Sequence, residues 1–270
     1  MADDTVIFYA DLAALLIFLF TGSFFYSKAS SSSKSALIYD LDSQHTNTKI
    51  AHKTALLNGL SAIIAFISAT CLLLGLSNLV SVDNGINSVN LVRYIDWMIT
   101  CPLLQVQLAI VADSSTLQVT SMVFHVFFTN FGGMLGAFSV SFLWKTVFFI
   151  FSCFHFSAMV FNLNNLIKQS SQGSQSLWMG TSSLRRLCLL TILTWIPFPI
   201  LWIVSVDGFD LFKIGIYSEV LFNLIGLIAK LSVQITIALR KLETLVIAEV
   251  STPQKIVSPD LLSEGEFSCS

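Results

Sequence analysis

Two ionisable residues, Lys230 and Asp96, lie within long apolar stretches and are the first candidates for chemistry. Lys230 interrupts an uncharged stretch between Glu219 and Arg240, which places it near the middle of a predicted helix. A buried lysine is the usual starting point for a Schiff base with an aldehyde. Side chains lean toward the N-terminus of their helix, so we expect Lys230 to face Asp96, with Arg93 one turn beyond. A purely structural ion pair is the alternative interpretation.

Aromatic residues recur at the level of Lys230. Trp195, Phe198 and Trp202 follow one another at three- and four-residue spacing around two prolines, and Trp97 comes directly after the candidate acid. Spacing alone favours ordinary helix packing. A lysine facing the same level favours a cofactor pocket instead, and Trp97 and Trp195 lie deeper than the interfacial positions typical of tryptophan.

Seven apolar stretches must position these residues. Apolar residues make up 54% of the 270 and charged residues 11%, against roughly 25% charged in a soluble domain. A membrane-spanning helix needs about 20 mostly apolar residues. The predicted helices are residues 7–27, 50–76, 88–111, 116–138, 141–167, 182–206 and 211–245. This composition excludes a soluble enzyme, a nucleic-acid binder and a disordered chain, and predicts an all-α membrane protein with a seven-transmembrane-helix bundle.

The distribution of Lys and Arg predicts an extracellular N-terminus and a cytoplasmic C-terminus. The predicted cytoplasmic side carries Lys28, Lys34, Lys49, Lys53, Lys168, Arg185, Arg186, Arg240, Lys241 and Lys255, and the extracellular side carries Arg93, Lys145 and Lys213. Residues 1–250 are predicted to form one multi-pass domain, placed in the plasma membrane. Residues 29–49, rich in serine, are expected to be a long cytoplasmic loop, and residues 251–270 a disordered cytoplasmic tail.

Three motifs resemble those of microbial (type 1) rhodopsins. Their third-helix signature resembles residues 93–104, which read Arg-Tyr-Ile-Asp-Trp-Met-Ile-Thr-Cys-Pro-Leu-Leu. Their sixth-helix pocket resembles residues 195–202, which read Trp-x-x-Phe-Pro-x-x-Trp. Lys230 resembles their retinal-binding lysine. The resemblance covers roughly residues 7–245. It implies that Lys230 carries all-trans retinal as a protonated Schiff base and that Asp96 is the counterion. The implied pocket consists of Trp97, Thr100, Cys101, Gly133, Trp195, Phe198, Pro199 and Trp202.

Departures from the family pattern indicate the subtype. Gly226 stands one turn before Lys230, where the family usually has a second carboxylate, and Gln107 stands where proton pumps often have a carboxyl donor. The second predicted helix contains no acid. These features resemble the red-shifted anion channelrhodopsins and predict a light-gated chloride channel rather than an enzyme. The predicted ion pathway contains Arg93, Asn58, Ser61, Ser68, Asn223 and Gly226.

We expect the channel to select anions because of the charges near its centre. Arg93 and Lys230 are expected to make the centre of the bundle positive, because Asp96 alone cannot balance both, and hydroxyls and amides can donate hydrogen bonds to an anion. A cation channel, a light-driven ion pump and a sensory receptor on the same scaffold remain the alternatives. The expected partners are membrane lipid, small anions and further copies of the chain in a dimer or trimer. We expect no nucleic acid and no metal, and interpret His52, His125 and His155 as lone packing residues.

Overall fold

The computed structural model describes residues 2–41, 45–77, 81–83, 88–171, 181–211 and 217–251. Eight α-helices and one short hairpin follow in chain order. They are α1 Ala2–Leu41, α2 His45–Leu76, β1 Ser81–Asp83, β2 Ser88–Asn90, α3 Leu91–Val111, α4 Thr116–Phe138, α5 Phe142–Ser171, α6 Thr181–Trp195, α7 Pro197–Val204 and α8 Tyr217–Ser251. The two strands pair antiparallel, with Val82 opposite Val89.

Seven of these helical segments, counted within the described residues, are long and apolar enough to cross a membrane. This confirms the predicted number of spans. They are Thr5–Ser35, Lys49–Leu76, Leu91–Val111, Thr116–Phe138, Phe142–Lys168, Leu184–Val204 and Tyr217–Leu239. An all-helical bundle is expected in lipid because each helix satisfies its own backbone hydrogen bonds. The protein is therefore a multi-pass membrane protein.

The long loop expected at residues 29–49 is wrong. Helix α1 continues to Leu41 and α2 begins at His45. Serine prefers caps and turns, but it costs less than about 1 kcal/mol relative to alanine inside a helix. Its hydroxyl can bond back to the preceding turn, as Ser35 Oγ does to the Ser31 carbonyl. Packing of α1 along α2 therefore decides the structure here. The expected tail falls almost wholly on residues 252–270, outside the described residues.

The third and sixth predicted helices also differ from the structure. Helix α3 begins at Leu91 instead of residue 88, because the Asn90 side chain caps it by accepting a hydrogen bond from the Arg93 backbone N–H. The predicted sixth helix consists of α6 and α7, which are separated at Ile196. Two closely spaced prolines cause this break, since proline lacks an N–H and clashes with the preceding turn.

The bundle is closed by α8, which packs against α1, α2, α6 and α7. One buried apolar cluster lies toward the end where α2 begins, and includes Leu57, Leu108 and Met159. A second lies toward the opposite end and includes Tyr94, Trp97 and Trp202. We call the first end, predicted to be cytoplasmic, the inner end, and the second the outer end. The functional side chains lie between the two clusters.

Candidate functional site

Lys230 and Asp96 form an ion pair in the middle of the bundle, as the sequence predicts. Lys230 Nζ on α8 donates to Asp96 Oδ2 on α3. Ser68 on α2 completes the group: its Oγ lies 2.7 Å from Lys230 Nζ and donates to Asp96 Oδ1 at 2.8 Å. Only 3% of Lys230 is exposed. Because a buried charge needs a partner, this contact between three helices stabilises a charged lysine in an apolar interior.

Thr100 lies beside this ion pair. Its Oγ1 donates to the Asp96 carbonyl oxygen at 2.7 Å and lies 3.4 Å from Asp96 Oδ1. A threonine one turn further along a helix commonly bonds back to the carbonyl four residues earlier. Thr100 therefore fixes the local backbone of α3 at the acid. It does not line the large cavity described next, whereas the sequence placed it in the pocket.

A cavity bordered by Lys230 lies between α3, α4, α5, α6, α7 and α8. Its walls are mainly apolar, as in most small-molecule sites. Seven of the predicted pocket residues line it together with Lys230: Trp97, Cys101, Gly133, Trp195, Phe198, Pro199 and Trp202. Further lining residues, not singled out from the sequence, include Tyr94, Thr129, Asn130, Phe149, Phe156 and Phe222.

Ring contacts and glycines define the shape of this cavity. Trp97 meets Phe198 edge to face at 5.1 Å between centroids, and Trp202 stacks on Phe149 at 5.4 Å. A Cβ built on Gly136 would come within 2.9 Å of the Trp202 ring, so this glycine allows the indole to approach α4. We call this cavity, bordered by these rings and by Lys230, the slot. An apolar cavity bordered by a lysine amine is suited to an apolar aldehyde.

Arg93 is neutralised by two carboxylates, which contradicts the expected positive centre. Its guanidinium contacts Asp207, in the segment after α7, and Glu219, in the first turn of α8. Asp207 is 2% exposed and also accepts a hydrogen bond from the Tyr94 hydroxyl at 2.7 Å. Since Lys230 is paired with Asp96, neither buried cation is left without a carboxylate. The expectation that Arg93 and Lys230 make the pathway positive is therefore wrong for the outer half.

A second cavity connects Lys230 with the outer end between α1, α2, α3 and α8. It is lined by Asp11, Phe18, Cys71, Gly75, Arg93, Asp96, Asn223 and Gly226 among others. Asn223 donates to Asp11 through its side-chain amide. Gly226 borders both cavities, and a Cβ built on it would lie 3.8 Å from Trp97 Nε1, an ordinary contact distance. The missing second carboxylate thus leaves space beside the ion pair.

The inner half contains a buried cluster of neutral polar side chains, which we call the amide cluster: Asn58, Ser61, Gln107 and Gln234. Gln107 Nε2 donates to Ser61 Oγ at 2.8 Å and to the Leu57 carbonyl at 3.1 Å. Gln234 Nε2 donates to the Ser61 carbonyl at 3.3 Å. Asn58 Nδ2 and both glutamine Oε1 atoms have no protein partner. Such groups are usually satisfied by buried water.

The predicted ion-pathway residues thus fall into three places. Ser68 belongs to the central ion pair, and Asn58 and Ser61 belong to the amide cluster. Arg93, Asn223 and Gly226 line the outer cavity.

At the inner end, Lys53 on α2 forms an ion pair with Asp113 in the turn between α3 and α4.

Two of the histidines are neighbours, so interpreting all three as lone residues is wrong. His125 Nδ1 on α4 and His155 Nδ1 on α5 lie 2.9 Å apart and pack among phenylalanines. One ring must donate and the other accept, so two neutral imidazoles at this distance have different tautomers. Within the described part of the chain, no three His, Cys, Asp or Glu side chains come together to hold a metal ion.

Sequence reasoning overlooked Asp207 and the partners of Gln107. Asp207 lies just beyond the predicted sixth helix, at the end of the bundle where Arg93 also lies, so the need to pair a buried arginine could have indicated it. Ser61 and Gln234 share helix faces with Ser68 and Lys230 at seven- and four-residue spacing. That spacing could have indicated the amide cluster.

Comparison with known proteins identifies the family. A profile described as bacteriorhodopsin-like protein matches residues 13–236. Archaerhodopsin-2 of Halobacterium sp. (strain aus-2) is 28% identical over 125 residues, 46% of this chain and 47% of that protein. The chain thus spans about half the length of the curated relatives it matches.

Solved structures share the fold. A cyanorhodopsin from Calothrix sp. superposes with a TM-score of 0.75 at 18% identity, covering 88% of this chain and 96% of that one. A light-driven proton pump from Leptosphaeria maculans superposes with a TM-score of 0.71 at 17% identity, covering 88% and 96%. These similarities concern architecture. The match of the family profile to most of the chain shows that the protein belongs to the bacteriorhodopsin-like family.

Proposed function

We propose that this protein is a light-gated anion channel that carries retinal on Lys230. Family membership implies a retinal chromophore, and the slot bordered by the Lys230 amine is suited to it. When bound, retinal supplies absorption of visible light and a change of shape on isomerisation. Lys230 would hold it covalently, Asp96 and Ser68 would stabilise positive charge at the nitrogen, and Trp97, Phe198 and Trp202 would confine its chain.

The amide cluster is the observation that favours a channel over a proton pump. Between the level of Asp96 and Asp113 at the inner end, the described side chains of α2, α3 and α8 include no carboxylate. Gln107 and its partners cannot supply a proton to the centre, which an efficient proton pump requires from that side. Their N–H and O–H groups can instead replace water around a partly dehydrated anion.

Three helices connect the central ion pair with the amide cluster. Ser68 and Ser61 lie two turns apart on one face of α2, Lys230 and Gln234 one turn apart on α8, and Asp96 and Gln107 three turns apart on α3. A change in the contacts of Lys230 therefore acts on all three helices that enclose the cluster. We propose that light opens the inner half by separating these helices and admitting water to the unsatisfied amide groups.

A cation channel is the second candidate, and a specific observation favours it. In the outer region, the carboxylates of Asp11, Asp207 and Glu219 lie near the guanidinium of Arg93. Carboxylates near a pore entrance attract cations. The two candidates therefore differ in which half of the pathway determines selectivity, the acidic outer half or the neutral inner half.

Whole-cell photocurrents decide between them. With an anion channel, replacing nine-tenths of the external chloride by a large impermeant anion should shift the reversal potential positive by up to about 59 mV, the tenfold value for one charge. Replacing external sodium by a large organic cation should leave it unchanged. The opposite pattern would establish the cation channel.

Two further outcomes and one control complete this experiment. A current that does not reverse with voltage would indicate a pump, and no current from a coloured, surface-expressed protein would indicate a sensory receptor. Lys230→Ala should abolish both visible absorption and photocurrent, because no covalent link to retinal can form. Visible absorption retained by a folded Lys230→Ala protein would refute the assignment of the lysine.

A further inference from the structure

A groove that no part of the proposed channel uses runs between α1 and α2 at the inner end. Its lining is polar at one end, with Ser30, Ser33, Lys34 and His52, and mainly apolar along the rest, as far as Ile63. Because α1 and α2 run antiparallel, Lys34 and His52 lie at one level, and Tyr26 and Ile63 lie deeper. The groove therefore has a cationic head and an apolar tail.

The apolar part of the groove is open and faces away from the bundle. Leu56 is 52% exposed, Ile63 49% and Tyr26 66%. A Cβ built on Gly59 meets no atom within 4 Å, so this glycine leaves a depression in the surface of α2. Both helices are membrane spans at this depth, so the surface meets lipid acyl chains.

The polar part lies where the two spans end. The span on α1 ends at Ser35 and that on α2 begins at Lys49, so Lys34 and His52 lie close to the level of lipid headgroups. Both side chains are exposed, and the lining residues of the groove include no carboxylate. Lysine ammonium, imidazole N–H and serine hydroxyls can all donate hydrogen bonds to a phosphate.

We propose that this groove binds an anionic phospholipid of the inner leaflet. The phosphate lies between Lys34 and His52, with Ser30 and Ser33 as further donors, and one acyl chain follows Leu60 and Ile63 across the depression at Gly59. Two observations support this occupant: the charge of the head matches an anionic headgroup, and the polarity changes along the groove in the same order as along a lipid. Basic residues at the inner membrane surface attract anionic lipid.

Native mass spectrometry in mixed lipid tests the proposal. The protein is released from nanodiscs containing equal amounts of phosphatidylglycerol and phosphatidylcholine, and retained lipid is identified. The wild type should retain phosphatidylglycerol in preference. Lys34→Gln/His52→Gln should lower that preference by about fivefold, the factor matching about 1 kcal/mol for the one charge of Lys34 at an anionic surface. The matched control is Lys28→Gln, which removes a lysine whose Nζ lies 5.6 Å over the Phe24 ring, outside the groove.

A second variant tests the apolar part. Gly59→Leu fills the depression and should reduce retention of both lipids, while brominated phosphatidylglycerol should quench a Leu60→Trp reporter in the wild-type background. Equal retention by all variants, or absence of quenching, would refute the site. Cross-linking of Gly59→Cys between two copies would show that a second protein chain covers the groove, and would also refute the lipid.

Discussion

The buried contact between Arg93 and Asp207 gives the sharpest test of the outer region. The two side chains are 3% and 2% exposed, whereas the second partner, Glu219, is 24% exposed. Asp207→Asn removes a charge but keeps an oxygen that can accept from the Tyr94 hydroxyl. Breaking a buried ion pair from one side costs roughly 3–5 kcal/mol. Glu219→Gln should cost closer to about 1 kcal/mol, because water screens its charge.

Reversible unfolding in mixed detergent, followed by circular dichroism, measures these free energies. The matched control is Asp210→Asn, an acid of the same segment with a φ of 51°, a conformation that asparagine also adopts readily. Asp210→Asn should change the free energy of unfolding by less than either other variant. Arg93→Gln combined with Asp207→Asn should be more stable than the two single effects added together. Equal losses for Asp207→Asn and Glu219→Gln would refute the reasoning.

Variants at three further sites test the pocket and its surroundings. Gly226→Asp should shift visible absorption to the blue, because a second anion near the nitrogen stabilises the ground-state charge; a red shift in a folded pigment would contradict this. Gly136→Ala should distort the slot through Trp202 and lower the rate of colour formation with added retinal, and an unchanged rate would refute a role for that contact. His125→Phe should destabilise the protein by about 1–3 kcal/mol by leaving the buried His155 nitrogen unpaired, while His125→Phe/His155→Phe should recover part of that loss in the same unfolding assay.

The bundle and its central pair were predictable because both depend on strong local signals. Seven long apolar stretches are best accommodated as membrane spans, and a lysine in the middle of one of them requires a partner for its charge. Asp96 was the available acid at a matching depth. The apolar slot followed from tryptophans too deep for the membrane interface. Each of these residues, a buried lysine or a deep tryptophan, is stable in few environments, and the sequence offered only one of them nearby.

The partners of Arg93 and the helical extension of α1 were not predictable in this way. Several acids lie near the outer end, and the choice of Asp207 depends on how the segment after α7 folds back over α3. Lys145 helps to hold that segment by donating to the Gly208 carbonyl at 2.7 Å. The serine-rich run at residues 29–35 has weak local preferences, so its helix depends on packing against α2. The His125–His155 contact likewise depends on the rotation of two neighbouring helices.

The length of α1 has a mechanical consequence. Its 40 residues correspond to about 60 Å at 1.5 Å per residue, about twice the thickness of the hydrocarbon core. The helix packs along α2, and its inner end extends beyond the hydrocarbon core of the bilayer. A tilt of about 5° near the level of Lys230 would displace a point some 30 Å further along the helix by about 3 Å. A distance label at the inner end of α1 would thus report, in amplified form, small angular movements that begin at the buried amine.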